Sequence, residues 1–298
     1  MKISPFQTEH FFAKYEFNTP YQLCNSDCET VTVGELLQMA QVSMEEFQAV
    51  SLGYTESQGS PALRQQIAAC YQEVAADEVI ELNAPIEGIY LSARALLNPE
   101  DKVVVLTPAY DALVNLFAHI VGEENVLKWE FQPTEDDWCL DISQFEAFLE
   151  LKPKLLVVNF PHNPTGYVPT PEQWREIVSL VEDHDMQLFC DEMYTGLWNE
   201  GTASISSAVE LTDKAIVLSG LSKTYGLPGL RSGWLVVKDE ELRANILNWK
   251  FYTTICPSSP VEFLASAAMQ VKDQLRKRSQ EQIKENLSLA YAFFMRWE

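Results

Sequence analysis

The sequence predicts an α/β fold: a large domain on a mainly parallel sheet with helices on both faces, a three-layer α/β/α arrangement. Three observations predict it. Short, largely apolar runs recur through the chain: Val103 to Leu106, Lys154 to Asn159, Met186 to Cys190, Ala215 to Leu218 and Trp234 to Val237. Segments with helical spacing stand between such runs, as from Pro171 to His184. Residues with chemical potential cluster where the runs end. Short apolar strands joined by helices imply a parallel sheet covered on both faces. Ligands of such sheets collect at the strand ends and in the loops leaving them.

The elements follow in order. The first thirty or so residues read as irregular and aromatic-rich, with Phe6, Phe11, Phe12, Tyr15, Phe17 and Tyr21. Helical patterns run from Gly34 to Val50, from Pro61 to Val74 and from Glu87 to Leu97. Ser60-Pro61 is a helix start, with serine as cap and proline in the first turn. Strands and helices then alternate to Val237. The tail is mostly helical from about Ser259 to Glu298, with a basic patch from Lys272 to Arg278. Its last apolar residues, Tyr291 to Trp297, are expected to need something to pack on.

Composition bounds the function. The chain has 298 residues, 47% hydrophobic and 21% charged, as in a globular enzyme. No apolar run approaches a membrane span, and the N-terminus lacks the apolar core of a signal peptide. Six scattered cysteines include Cys24 and Cys28, but no second pair completes a metal site. These features predict reduced thiols and a cytoplasmic protein. A net charge of −22 disfavours nucleic acid or anionic membrane as partner.

Five motifs carry chemistry. In Ser219-Gly220-Leu221-Ser222-Lys223-Thr224-Tyr225-Gly226, small residues crowd around one amine, and Arg231 follows eight positions later. A lysine of lowered pKa is a good nucleophile and can form a Schiff base with an aldehyde; the bland alternative is a solvated loop lysine. Asn159-Phe160-Pro161-His162-Asn163-Pro164-Thr165-Gly166 reads as a strand-to-helix turn, yet the Asn163 amide can donate to a phenolic oxygen. Asp191 ends an apolar run. It is either a helix cap or a carboxylate paired with a protonated ring nitrogen, with Tyr194 facing the same ring. Tyr110, after the run at Val103, is a loop tyrosine or a stacking platform for a flat ligand. Tyr54, before the Ser60 cap, is not explained by that cap. The four histidines form no triad or metal cluster.

Together these residues resemble the class I/II aminotransferases, the fold-type-I group of pyridoxal 5'-phosphate (PLP) enzymes. The likeness runs from about Leu52 to Trp249. Asn-Pro-Thr-Gly at 163–166 with Ser-Lys-x-x-Gly-x-x-Gly-x-Arg at 222–231 is a specific joint signal. The resemblance implies that Lys223 bonds the cofactor and later moves the proton. It implies that Asp191 keeps the ring nitrogen protonated, that Asn163 and Tyr194 hydrogen-bond the ring hydroxyl, and that Tyr110 stacks. Ser222 and Arg231 would hold the phosphate, Arg231 as a charged fork. Tyr54 would reach the phosphate of a neighbouring subunit, which implies a homodimer.

Two departures qualify the likeness. The family's phosphate-cradling run is here Ala84-Pro85-Ile86-Glu87, where Pro85 has no N–H and the Ile86 N–H is left to serve. The family also continues through a C-terminal small domain carrying an arginine for the substrate carboxylate, and no counterpart is visible. The expected organisation is therefore an N-terminal segment over residues 1–33 that covers the site, a large PLP-binding domain over 34–270, and the start of a small domain over 271–298. The reaction expected is transamination between an amino acid and a 2-keto acid. The alternatives are a PLP-dependent lyase or cyclising synthase, and a PLP-binding chain without turnover.

Overall fold

A computed structural model describes residues 3–135, 137–197 and 204–297. Among the described residues the strands are β1 (Val79–Leu82), β2 (Val103–Thr107), β3 (Val126–Glu130), β4 (Gln132–Pro133), β5 (Trp138–Cys139), β6 (Leu155–Asn159), β7 (Gln187–Asp191), β8 (Ala215–Gly220) and β9 (Gly233–Val237). Strands β4 and β5 form a separate small ribbon. The other seven make one sheet in the order β1-β9-β8-β7-β6-β2-β3. All its neighbours run parallel except at β9, which is antiparallel to both β1 and β8.

The central strands carry unbroken apolar runs because both faces are covered. Side chains alternate across the sheet between two cores. Val104, Leu106, Leu156, Val158, Leu188 and Val217 point to one, with Trp174 and Ile177 of the helix Pro171–Asp183. Val103, Val105, Leu155, Val157, Phe189 and Ile216 point to the other, with Ile89 of the helix Pro85–Leu96 and Phe117 of the helix Asp111–Val121.

Several expectations are corrected. The helical pattern over 34–50 is two helices, Val33–Ala40 and Met44–Gln48. Gln41 adopts a left-handed φ of 55° between them, and Ser43 caps the second with a Ser43–Glu46 capping box. The pattern from Pro61 stops at Ala68. The tail breaks at Val271 between the helices Ser259–Gln270 and Lys272–Phe294. The N-terminal segment contains a helix, Gln7–Tyr15. Strands β1 and β3 lacked a continuous apolar signature. Glu81 interrupts β1, while β3 is an edge strand with Lys128 and Glu130 exposed. No described helix is long and apolar enough to cross a membrane.

Candidate active site

The chain runs from β2 outward to β3 and then returns to place β6 on the other side of β2. The strand order reverses there, and the carboxyl ends of β2 and β6 diverge into a crevice, the usual ligand site of such sheets. A cleft of about 690 Å³ opens at this point and extends past the ends of β7 and β8.

Strand register sets the first side chains. Asn159 and Asp191 are partners at the ends of β6 and β7. The Asn159 amide donates to the Asp191 carbonyl at 2.8 Å, and its Oδ1 accepts the Asn163 N–H at 2.7 Å. One buried asparagine thus fixes the turn that carries Asn163. Asp191 is buried, and its Oδ1 accepts the Met193 N–H at 3.0 Å. Burial pushes its carboxyl up to about 6, against the pull of that N–H and of Lys223. Tyr194 follows in the same turn. Burial pushes its phenol up to about 12, against the lowering effect of its hydrogen bonding with Ser26 and Asn163.

Lys223 lies in the loop between β8 and β9. Its Nζ donates to Ser26 Oγ at 2.9 Å and is 3.7 Å from Asp27 Oδ1. The loop has its shape because Gly226 is left-handed, with φ of 67°, and because Thr224 Oγ1 donates to the Met193 and Thr195 carbonyls. Arg231, also left-handed at φ 52°, closes the loop and lines the cleft. Tyr110 stands just before the helix Asp111–Val121, in the loop leaving β2, and burial drives its phenol well above the ordinary range.

The cleft therefore brings together Lys223, Asp191, Tyr194, Asn163, Tyr110, Ser222, Arg231 and Ile86. Ile86 is in the first turn of the helix Pro85–Leu96, where N–H groups lack intrahelical acceptors. Tyr54 is 91% exposed and does not line this cleft. His162 is buried and pushed down to about 4 by burial; it packs on Phe131, its Nδ1 is 2.8 Å from Thr165 Oγ1, and it also lies outside the cleft lining.

The sequence placed the N-terminal segment over the site but did not single out the residues that form the other wall of the cleft. Glu9, Phe11, Phe12, Glu16 and Cys24 to Asp27 line the cleft from the N-terminal segment. Phe17 and Tyr21 of the same segment are exposed and outside the lining. The segment is held by the Thr8 N–H on Asp111 Oδ2 at 2.7 Å, by Tyr110 Oη donating to Glu9 at 2.8 Å, and by Tyr194 Oη donating to Ser26 at 3.1 Å. These contacts join residues a hundred or more positions apart, so no local periodicity announces them.

Residues 22–293 match the family of aminotransferases of class I and II. The chain belongs to that family. It is 32% identical over 269 residues to capreomycidine synthase of Streptomyces vinaceus, covering 90% of this chain and 68% of that protein. It is 30% identical to an aspartate aminotransferase of Sulfurisphaera tokodaii, covering 76% of this chain but only 57% of that one. A PLP-dependent aminotransferase from Streptococcus suis superposes with a TM-score of 0.90 at 25% identity, over 98% of this chain and 77% of its own. The PLP-dependent cyclase OrfR shares the fold at a TM-score of 0.90 and 24% identity.

PLP is the cofactor of this aminotransferase fold, and the residues present fit it. Ser222 Oγ is buried without a hydrogen-bond partner among the described residues, as suits a hydroxyl that would donate to a phosphate oxygen. Asp191 is a buried carboxylate that a ring N–H cation would satisfy. The amine, the carboxylate, the phenol and the arginine are the chemically distinct groups that a phosphorylated hydroxypyridine aldehyde needs.

Proposed function

We propose that the chain is the PLP-binding part of an aminotransferase that moves an amino group between an amino acid and a 2-keto acid. The observation that carries this reading is the convergence of Lys223, Asp191, Tyr194 and Asn163 on one cleft at the carboxyl ends of parallel strands. Bound PLP supplies an aldehyde for covalent capture of an amine and a ring that takes up the electron pair released at the substrate Cα. Lys223 would hold the aldehyde and, when free, would carry the proton from the substrate Cα to the carbon that came from the aldehyde, the shift that transamination requires. Asp191 keeps a proton on the ring nitrogen. Asn163 and Tyr194 orient the ring through its hydroxyl oxygen, and Tyr110 packs on its face. Ser222, Arg231 and the Ile86 N–H hold the phosphate. We assign Tyr54, exposed on this chain, to the phosphate site of a second copy in a homodimer.

A second reading, cyclisation or elimination at the side chain of an amino acid, is favoured by the likeness to capreomycidine synthase and shares every residue above. The chain mixed with PLP should gain a visible absorbance that borohydride removes, leaving the cofactor bonded to Lys223 by peptide mass spectrometry. Lys223→Ala should lack it and lose at least ~10²-fold in turnover. An amino donor that yields pyridoxamine phosphate and a keto acid supports transamination. A cyclised product, or ammonia with a keto acid, supports the second reading. Absence of the absorbance in folded protein refutes both.

A further inference from the structure

Lys223 comes from the loop after β8 and Tyr194 from the turn after β7, yet one oxygen of a third element holds both. Ser26 Oγ accepts a hydrogen bond from Lys223 Nζ at 2.9 Å and one from Tyr194 Oη at 3.1 Å. A serine oxygen has two lone pairs, and these two donors fill them. The amine and the phenol are each one hydrogen bond from the same atom.

Ser26 is itself held in place. Three residues on, the Glu29 N–H donates to Gln282 Oε1 at 3.3 Å, and the Glu29 carbonyl accepts from Arg278 Nη1, both on the helix Lys272–Phe294. The Gln280 amide of that helix donates to the Gly196 carbonyl at 2.6 Å, two residues after Tyr194. One helix thus ties the segment carrying Ser26 to the turn carrying Tyr194. The lysine loop packs against the same segment: a Cβ on Gly226 would lie 3.2 Å from the Glu29 carbonyl oxygen. The basic patch read from the sequence, Lys272 to Arg278, ends on this joint.

A lysine amine ends a flexible stem and, with nothing to hold it, samples several rotamers. We propose that Ser26 is a positioning residue for Lys223, whose hydroxyl holds the free amine in one place for reaction with the cofactor aldehyde. The inference deepens the PLP reading above and rests on it. Misplacing a reacting group by about 1 Å can cost on the order of 10²-fold in rate. Asp27 cannot take over the task, because its carboxylate is 3.7 Å from Lys223 Nζ, beyond hydrogen-bond range.

The test needs no amino donor. The rate of covalent capture of saturating PLP by the cofactor-free chain is followed by absorbance and by borohydride trapping at Lys223. Affinity for pyridoxamine phosphate, which has no aldehyde to bond the lysine, is measured in parallel. Ser26→Ala should slow capture by about tenfold and leave the pyridoxamine phosphate affinity within about twofold of the parent. Ser26→Thr keeps the hydroxyl, and the exposed position leaves room for the added methyl, so its capture rate should stay within about threefold of the parent. Parental capture by Ser26→Ala, equal losses in the two measurements, or no rescue by Ser26→Thr overturns the inference and leaves the PLP reading standing. A folded parent chain that captures no PLP overturns both together.

Discussion

Asp191 shows how one residue ties site chemistry to stability. Burial raises its carboxyl to about 6 from an ordinary value near 4, so the folded chain binds this proton more tightly than the unfolded chain does. The stabilisation it contributes is complete below about pH 4 and is lost as pH rises through about 6. Without cofactor, Asp191→Asn should therefore be more stable than the parent by roughly 1–3 kcal/mol at pH 8, and the two should converge at pH 4. The Asn carbonyl can still accept the Met193 N–H. With PLP bound the sign of the functional effect is opposite, since Asn cannot hold a proton on the ring nitrogen, and turnover should fall by ~10² or more. Urea unfolding at the two pH values checks the first claim. A variant less stable than the parent at pH 8 would refute it. Asp191, Asn163 and Lys223 were legible in the sequence because their neighbours are short and specific. Ser26, Asp27, Glu9 and Glu16 were not, because the segment bearing them has no repeating pattern and meets the site only through long-range contacts.

At the scale of elements, the glycines of the lysine loop have separate reasons. Gly220 and Gly233 face each other at the ends of β8 and β9, and the start of the helix Pro85–Leu96 rests on both. A Cβ on Gly233 would lie 2.8 Å from Pro85 Cγ and 3.0 Å from the Ser219 carbonyl oxygen. A Cβ on Gly229 would meet nothing within 4 Å. Gly233→Ala should cost about 1–3 kcal/mol and weaken PLP binding by shifting the helix start that carries Ile86. Gly229→Ala should stay within about 0.5 kcal/mol. Denaturant midpoints for the pair decide it, and equal effects would refute the packing argument. The motif is visible in the sequence as a string. Which of its glycines bears a close approach depends on Pro85, more than a hundred positions away. The same limit explains the elements. Runs buried on both faces stood out, as did the Ser60 cap. The capping boxes at Thr32 and Ser43 were present in the sequence but hidden by continuous helical spacing across the break at Gln41.

At the scale of the whole molecule, a group of charges is buried where β1 meets three helices. Glu81 is fully buried, with Glu262 of the helix Ser259–Gln270 and Lys250 of the helix Glu240–Phe251 beside it. Glu262 accepts the Ser60 N–H at 2.6 Å, and Glu87 of the helix Pro85–Leu96 accepts the Thr253 and Thr254 hydroxyls. The group thus joins the 51–60 loop, the 252–256 turn and the helix that opens on the cofactor cleft. Burial, then Glu262, pushes the Glu81 carboxyl up to about 9, with Lys250 opposing. Burial lowers Lys250, and the surrounding carboxylates hold it up. A carboxyl that is neutral in the fold and ionised in the unfolded chain stabilises fully below about pH 4.5 and progressively less toward pH 9. Glu81→Gln keeps the shape and removes the titration. It should raise stability at pH 8 by about 1–4 kcal/mol, and by much less at pH 5. Lys250 keeps Glu87 and Glu262 as partners in that variant, so its own charge is not stranded. Lys250→Met would instead leave the carboxylates without their cation and should destabilise at pH 8. Denaturation measured from pH 5 to 9 reads both effects. If Glu81→Gln parallels the parent across that range, Glu81 is already ionised in the fold and the proton assigned to it is not there.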